Sequence, residues 1–170
     1  MTGGREPAWR ADPTRPVDYL LIGHVCVDSL PAGERLGGTA IYAARAARAI
    51  GLSTALVTAC PSPAALRSVL HGIGLIVQRS DCWTRFTNRY ADGQRSQRSS
   101  SQAPPIDPAL VPAEWIEQAN VVHLAPVAGE IRPSDRFRRS RFVGLTVQGL
   151  MRSFSRDHAV SRIDPARTIA

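Results

Sequence analysis

Residues 36–51 read LGGTAIYAARAARAIG, a double glycine followed by an alanine-rich run with helical spacing. Ile41, Ala44, Ala47 and Ile50 recur at the interval that stacks side chains on one helix face, with Arg45 and Arg48 on another. Gly51 stands where a helix takes a left-handed C-terminal cap. Before it, Val17–Val25 (VDYLLIGHV) is a short apolar run suited to a buried strand, ending by Asp28 because Pro31 and Gly33 oppose continuation. After it, Thr54–Thr58 (TALVT) is a second short buried strand. Pro63–Leu70 is a second helix, with Ser62 at its N-cap and Pro63 at its first position. Gly72 and Gly74 close it, and LIVQ opens a third strand. Strand, helix, strand, helix, strand in this order predicts a parallel sheet covered by helices on both faces, with right-handed crossovers.

The next segment has a different period. In TRFTNRYADGQRSQRSS, Arg85, Thr87 and Arg89 alternate with Phe86, Asn88 and Tyr90, and Asp92-Gly93 is a hairpin turn pair. A hairpin this polar does not belong in a sheet core, so residues 82–100 are expected to project as a lid. A proline-bearing linker follows, then a short helix at Pro112–Gln118 and a strand at Val121–Leu124. A weak helix near residues 134–139 leads into a last strand at Phe142–Leu145. Residues 1–16 are polar and proline-bearing, without the apolar core of a secretory signal, and are read as a disordered tail. From Ser153 to Ala170 the periodicity is lost, and a poorly ordered tail is expected. The domain is thus placed at residues 17–152.

Composition narrows the function classes. The chain has 170 residues, enough for one domain with a core, and a 44% hydrophobic share fits a globular protein. No apolar run approaches the roughly 20 residues of a membrane span, and a cytoplasmic location is expected. The net charge is +7, and all 21 basic residues are arginine. They do not alternate with stacking aromatics along one element, so the charge reads as compositional bias, with an arginine-rich nucleic-acid binder as a lesser alternative. Cys26, Cys60 and Cys82 are too dispersed for a metal knuckle or a disulfide framework.

Four stretches together resemble the ribokinase (PfkB) family of carbohydrate kinases. They are GHVCVD, LGGTAIYAARAARAIG, the hairpin TRFTNRYADGQRSQR, and VVHLAPVAGEI with FVGLTVQGLMR. The resemblance spans most of Asp18–Arg152 and implies an incomplete ribokinase-like (Rossmann-like) α/β fold with a small β-hairpin lid. The activity it implies is phosphoryl transfer to a hydroxyl of a sugar, polyol or nucleoside. Asp28 is then expected past the end of the first strand, where an open parallel sheet places its crevice. There it accepts hydrogen bonds from substrate hydroxyls. Gly37, Gly38 and Thr39 are expected against the substrate, with free amides at a helix start. Arg89, or Arg95, is expected to reach down from the lid, and Glu130 to face the ligand from a loop. His24 and His123 sit at strand ends, and Gln148 and Arg152 match the family stretch without an assignable role. The asparagine that family members often carry after the glycines is replaced by Ile41 and Tyr42, which argues against ribose.

The family's glycine–alanine–glycine–aspartate signature, which holds phosphate at a helix start and supplies the base, does not occur in the sequence. Neither does a GxxxxGK[ST] or GxGxxG loop. No catalytic residue is therefore assigned. ATP and Mg2+ are implied by the resemblance, but the half that would bind them is expected to be absent. The chain is expected to be a truncated form, inactive alone, with an exposed apolar sheet edge and marginal stability. A non-catalytic sugar-binding module is the alternative. Lids of this family also form dimer contacts, so a homodimer is a further expectation.

Overall fold

The computed structural model describes residues 9, 10, 12, 15–132 and 134–163. In chain order these form β1 (Trp9–Arg10), β2 (Tyr19–Ile22), β3 (Cys26–Leu30), β4 (Gly33–Gly37), α1 (Thr39–Ala49), β5 (Thr54–Cys60), α2 (Pro63–Val69) and β6 (Gly74–Arg79). Then come β7 (Thr84–Ala91), β8 (Gln94–Ser101), α3 (Ala113–Gln118), β9 (Val121–Leu124), β10 (Val143–Leu145), β11 (Arg152–Phe154) and β12 (Val160–Arg162).

The large sheet has the order β1-β6-β5-β2-β9-β10. Five strands are parallel, and β1 adds antiparallel to β6 at one edge. Side chains alternate across the strands, so Leu20 and Ile22 join one core while Leu21 joins the other. The first core lies under α3, whose Trp115 and Ile116 are buried in it; the second lies under α1 and α2, through Ile41, Ala44 and Leu66. Burial on both faces explains why β5 is buried at every position and reads as a continuous apolar run. Ile50 departs from the expected apolar face of α1. It is the C-cap residue, 77% exposed, because the helix has ended before its side chain can turn inward.

The run expected as one strand over Val17–Val25 is divided. β2 ends at Ile22, and the Val25 N–H leaves the ladder for the Thr58 hydroxyl at 3.0 Å. The chain then enters a second sheet of order β4-β3-β7-β8. The lid is therefore four-stranded, built on β3 as well as on the expected hairpin. Its Asp92-Gly93 turn has positive φ at both residues (51° and 70°), the requirement of a tight two-residue hairpin.

Residues 153–163 also differ from expectation. β11 and β12 form an antiparallel hairpin that adds to the outer edge of β8, with Ser99 N–H donating to the His158 carbonyl at 2.8 Å. Phe154 and Val160 pack on Cys26, Phe86 and Val127. Two three-residue strands are too short to show a period, and their order comes from the lid surface beneath them. In the N-terminal segment, Trp9–Arg10 pairs with Ile76 and Val77, contrary to a wholly disordered tail. The expectations for residues 1–8, 11, 13, 14 and 164–170 lie outside the described residues. No described helix is long and apolar enough to cross a membrane.

Candidate functional site

β3 carries Asp28 out of the large sheet and into the lid, where it stands in register with Arg35 of β4 and Phe86 of β7. Residues in register share a sheet face, so Cys26, Asp28, Phe86 and Asn88 look to one side of the lid. Asp28 is thus mid-strand in the lid, instead of past the end of the first strand. Its carboxylate rests on Gly37: a Cβ there would overlap Asp28 Oδ2. Gly38 is the N-cap of α1, at φ 92° and ψ 158°, a conformation that strains any side chain. The double glycine lets the lid base approach α1 closely, since a Cβ on Gly38 would come within 3.1 Å of Cys26 Sγ and the His24 carbonyl. No side chain caps α1 and no acidic residue stands in its first turn. Its positive end, beginning at half-buried Thr39, is left without a carboxylate of its own.

The Asp28 carboxylate is half-exposed and takes no hydrogen bond from any described side chain or backbone amide. On the same side of the lid, Arg152 of β11 sits over the Phe86 ring, its Cζ 4.9 Å from the ring centre, and donates from Nη1 to the Val127 carbonyl at 2.9 Å. Burial, and then the nearby Arg95, hold Arg152 below the usual arginine value, while Cys26, Asp28 and Glu130 act the other way. Arg95 itself is fixed through Nε and Nη2 to Asn88 Oδ1, at 3.1 and 2.9 Å. Burial and the Asp28 charge push the Cys26 thiol up to about 12, so Cys26 packs as a neutral group.

Two expected site residues are elsewhere. Arg89 alternates onto the face shared by Arg85 and Thr87, where Arg85 pairs with Glu34; it is exposed and turned from Asp28. The period of two that marks the hairpin also forces this outcome. Glu130 is buried at 3% exposure, and its carboxylate accepts from the amides of His24 (2.8 Å), Val127 (3.0 Å) and Ala128 (2.7 Å). It ties the loop after β9 to the chain leaving β2 instead of facing a ligand. A buried carboxylate is tolerated because several amides converge on it.

The histidines are structural. His24 Nε2 donates to the Pro104 carbonyl at 3.1 Å, which leaves Nδ1 to accept from the Thr84 hydroxyl at 2.8 Å. Burial lowers its pKa, and Glu130 and Pro104 oppose this. His123 bridges Tyr19 (3.0 Å) and Thr146 (2.7 Å) between strands. Arg152 was visible in the sequence only as part of TVQGLMR; its place beside Asp28 depends on the β11–β12 hairpin, which no periodicity announces.

Among the described residues no group of three His, Cys, Asp or Glu side chains could hold a metal ion. The sequence has no lysine and no glycine-rich phosphate loop. The described residues do not fit an ATP–Mg2+ site. A cavity of about 1110 Å3 opens at the opposite end of the sheet near Val17, Thr54, His71 and Trp115, away from Asp28.

No family model matches the sequence, and no curated protein matches it. Solved structures do match. A sulfate complex of a pyrophosphate-dependent kinase in the ribokinase family aligns with TM-score 0.65 and 24% identity, over 85% of this chain and 55% of that one. A pyrophosphate-dependent myo-inositol-1 kinase, converted by two substitutions to a myo-inositol-3 kinase, aligns with TM-score 0.67 and 22% identity, over 85% and 52%. A ribokinase-family kinase complexed with a pyrophosphate analog and myo-inositol aligns with TM-score 0.63 and 24% identity, over 85% and 54%. The chain spans about half the length of these structures. The parallel sheet with helices on both faces and its β lid are therefore a partial ribokinase-like fold.

Proposed function

We propose that this chain recognises the acceptor of a ribokinase-type phosphotransferase, a sugar, polyol or nucleoside, in the cleft between the lid and the start of α1. The observation that carries the reading is the Asp28 carboxylate, held against Gly37 beside an uncapped helix start and free of any described hydrogen-bond donor. A carboxylate so placed can accept from two hydroxyls of one ligand, the recognition a polyhydroxylated molecule requires. Gly37, Gly38 and Thr39 form the floor, and lid closure excludes the water that competes as phosphoryl acceptor.

The donor on this reading is a nucleotide or pyrophosphate, the latter being the donor of the three structures above. Phosphoryl transfer depends on positioned cations and amides around the transferring group. The sequence contains no glycine–alanine–glycine–aspartate stretch and no GxxxxGK[ST] or GxGxxG loop, so on this reading the chain by itself binds the acceptor without transferring phosphate. A homodimer through the lid would use the β4 edge, and sedimentation equilibrium tests that.

Isothermal titration of the purified chain with myo-inositol, D-fructose, ribose and adenosine tests the reading. Binding of at least one, weakened by Asp28→Asn, is expected; heats no larger than dilution for all four would refute it. A coupled assay with ATP or pyrophosphate is expected to show no acceptor-dependent turnover.

A further inference from the structure

The lid face that carries Asp28 is richer in positive charge than a neutral polyol needs. By strand register it holds Arg35 and Arg95, and Arg152 is laid over its Phe86. Asp28 is the one carboxylate on that face among the described residues, since the Glu130 charge is consumed by amides. The arginine bias of the sequence does not account for this arrangement. Arg138 and Arg139 stand in solvent beside Asp135 and Glu117. Arg152 is half-buried, has no carboxylate within ion-pair distance among the described residues, and uses one of its five N–H groups on the Val127 carbonyl. Withdrawing an unpaired guanidinium from water is costly, and a bound anion removes that cost. Arg95 is also restrained: Asn88 Oδ1 receives two of its N–H groups and one from Gln97 Nε2.

We propose that the acceptor carries an anionic group, a phosphate or a carboxylate, bound by Arg152 and Arg95 while Asp28 takes its hydroxyls. This rests on the acceptor-recognition reading and narrows it to a sugar phosphate or a sugar acid. Arg152 is the anchor, because its guanidinium is already restrained by the Phe86 ring and the Val127 carbonyl and loses little freedom on binding.

The test pairs neutral and charged ligands of matched skeleton in titrations of the purified chain: D-fructose against fructose 6-phosphate, and D-glucitol against D-gluconate. Inorganic phosphate alone is the control. One charged member is expected to bind about tenfold or more tightly than its neutral partner at low salt, with the margin shrinking as NaCl is added. Preference within the first pair identifies phosphate, and within the second carboxylate. Arg152→Gln should lower affinity for the charged member at least about fivefold more than for the neutral one, and Arg152→Lys should restore part of the difference. Arg95→Gln, remote from the Val127 contact, gives the same direction should Arg152→Gln disturb folding, as judged by circular dichroism. Equal affinity within both pairs overturns the proposal and leaves the acceptor reading standing. Equal losses for both members in Arg152→Gln, or inorganic phosphate binding as tightly as fructose 6-phosphate, overturn it too. If no ligand of either pair binds, nor myo-inositol, ribose or adenosine, the acceptor reading fails and the proposal with it.

Discussion

The Asp28 carboxylate occupies the space that a side chain on Gly37 would need. The two residues lie on adjacent antiparallel strands of the lid, and the missing Cβ of one seats the functional group of the other. Gly37→Ala therefore acts on the ligand as much as on the fold. The methyl displaces Asp28 Oδ2, at an overpacking cost of about 1–3 kcal/mol. Affinity for whichever polyol binds is expected to fall about tenfold or more while the chain still melts cooperatively. Unchanged affinity in Gly37→Ala would show that the Asp28 position is immaterial.

Glu130 is expected to matter for stability alone. Glu130→Gln replaces an acceptor of several amide hydrogen bonds with a group that is half donor, leaving buried N–H groups without a partner. The loss should be about 2–4 kcal/mol in urea unfolding, with the ranking of ligands by affinity left as in the parent. A loss below about 0.5 kcal/mol would contradict the buried network.

Stability should fall with acid through His24. Burial lowers its folded-state pKa below the ordinary 6.5, so between the two values the unfolded chain binds the extra proton and folding is opposed. The contribution is complete above about pH 6.5 and is lost as pH falls toward the lowered folded value. His123, also lowered by burial, adds in the same direction. His24→Gln should flatten the slope of unfolding free energy between about pH 7 and 5 relative to the parent; an unchanged slope would exclude His24 as its source.

The open side of β10 exposes Phe142 (60%), Val143 (41%), Leu145 (48%) and Val147 (49%). A strand edge with this much apolar surface favours association. Concentration-dependent sedimentation and binding of a hydrophobic dye are expected at micromolar chain, and Val143→Lys with Leu145→Lys should reduce both. A dye-silent monomer throughout would contradict this.

Much of the fold was legible because it rests on short-range regularities. The apolar runs of β5 and β6, the alanine face of α1 and the Asp92-Gly93 turn each follow from side-chain period or backbone sterics. Asp28 and the double glycine each stood out through a separate stretch resembling a kinase family, and their contact follows only from the pairing of β3 with β4. The lid was legible only in part, since nothing local says that β3 leaves the large sheet; Thr58, 33 residues away, takes the Val25 amide and makes the division.

The order of residues alone determined a parallel sheet with helices on both faces, where the polar hairpin stands, and the lack of a phosphate-holding loop. Tertiary structure decided which polar groups lie together on one face of the lid. Arg152 reaches the Asp28 face because the last hairpin adds to β8; Arg89 turns away because of strand parity; and Glu130 is consumed by amides from two distant segments. The physical reason is common to all three. Periodicity records which way a side chain points from its own backbone, whereas partnership depends on long-range strand pairing that brings separate backbones together.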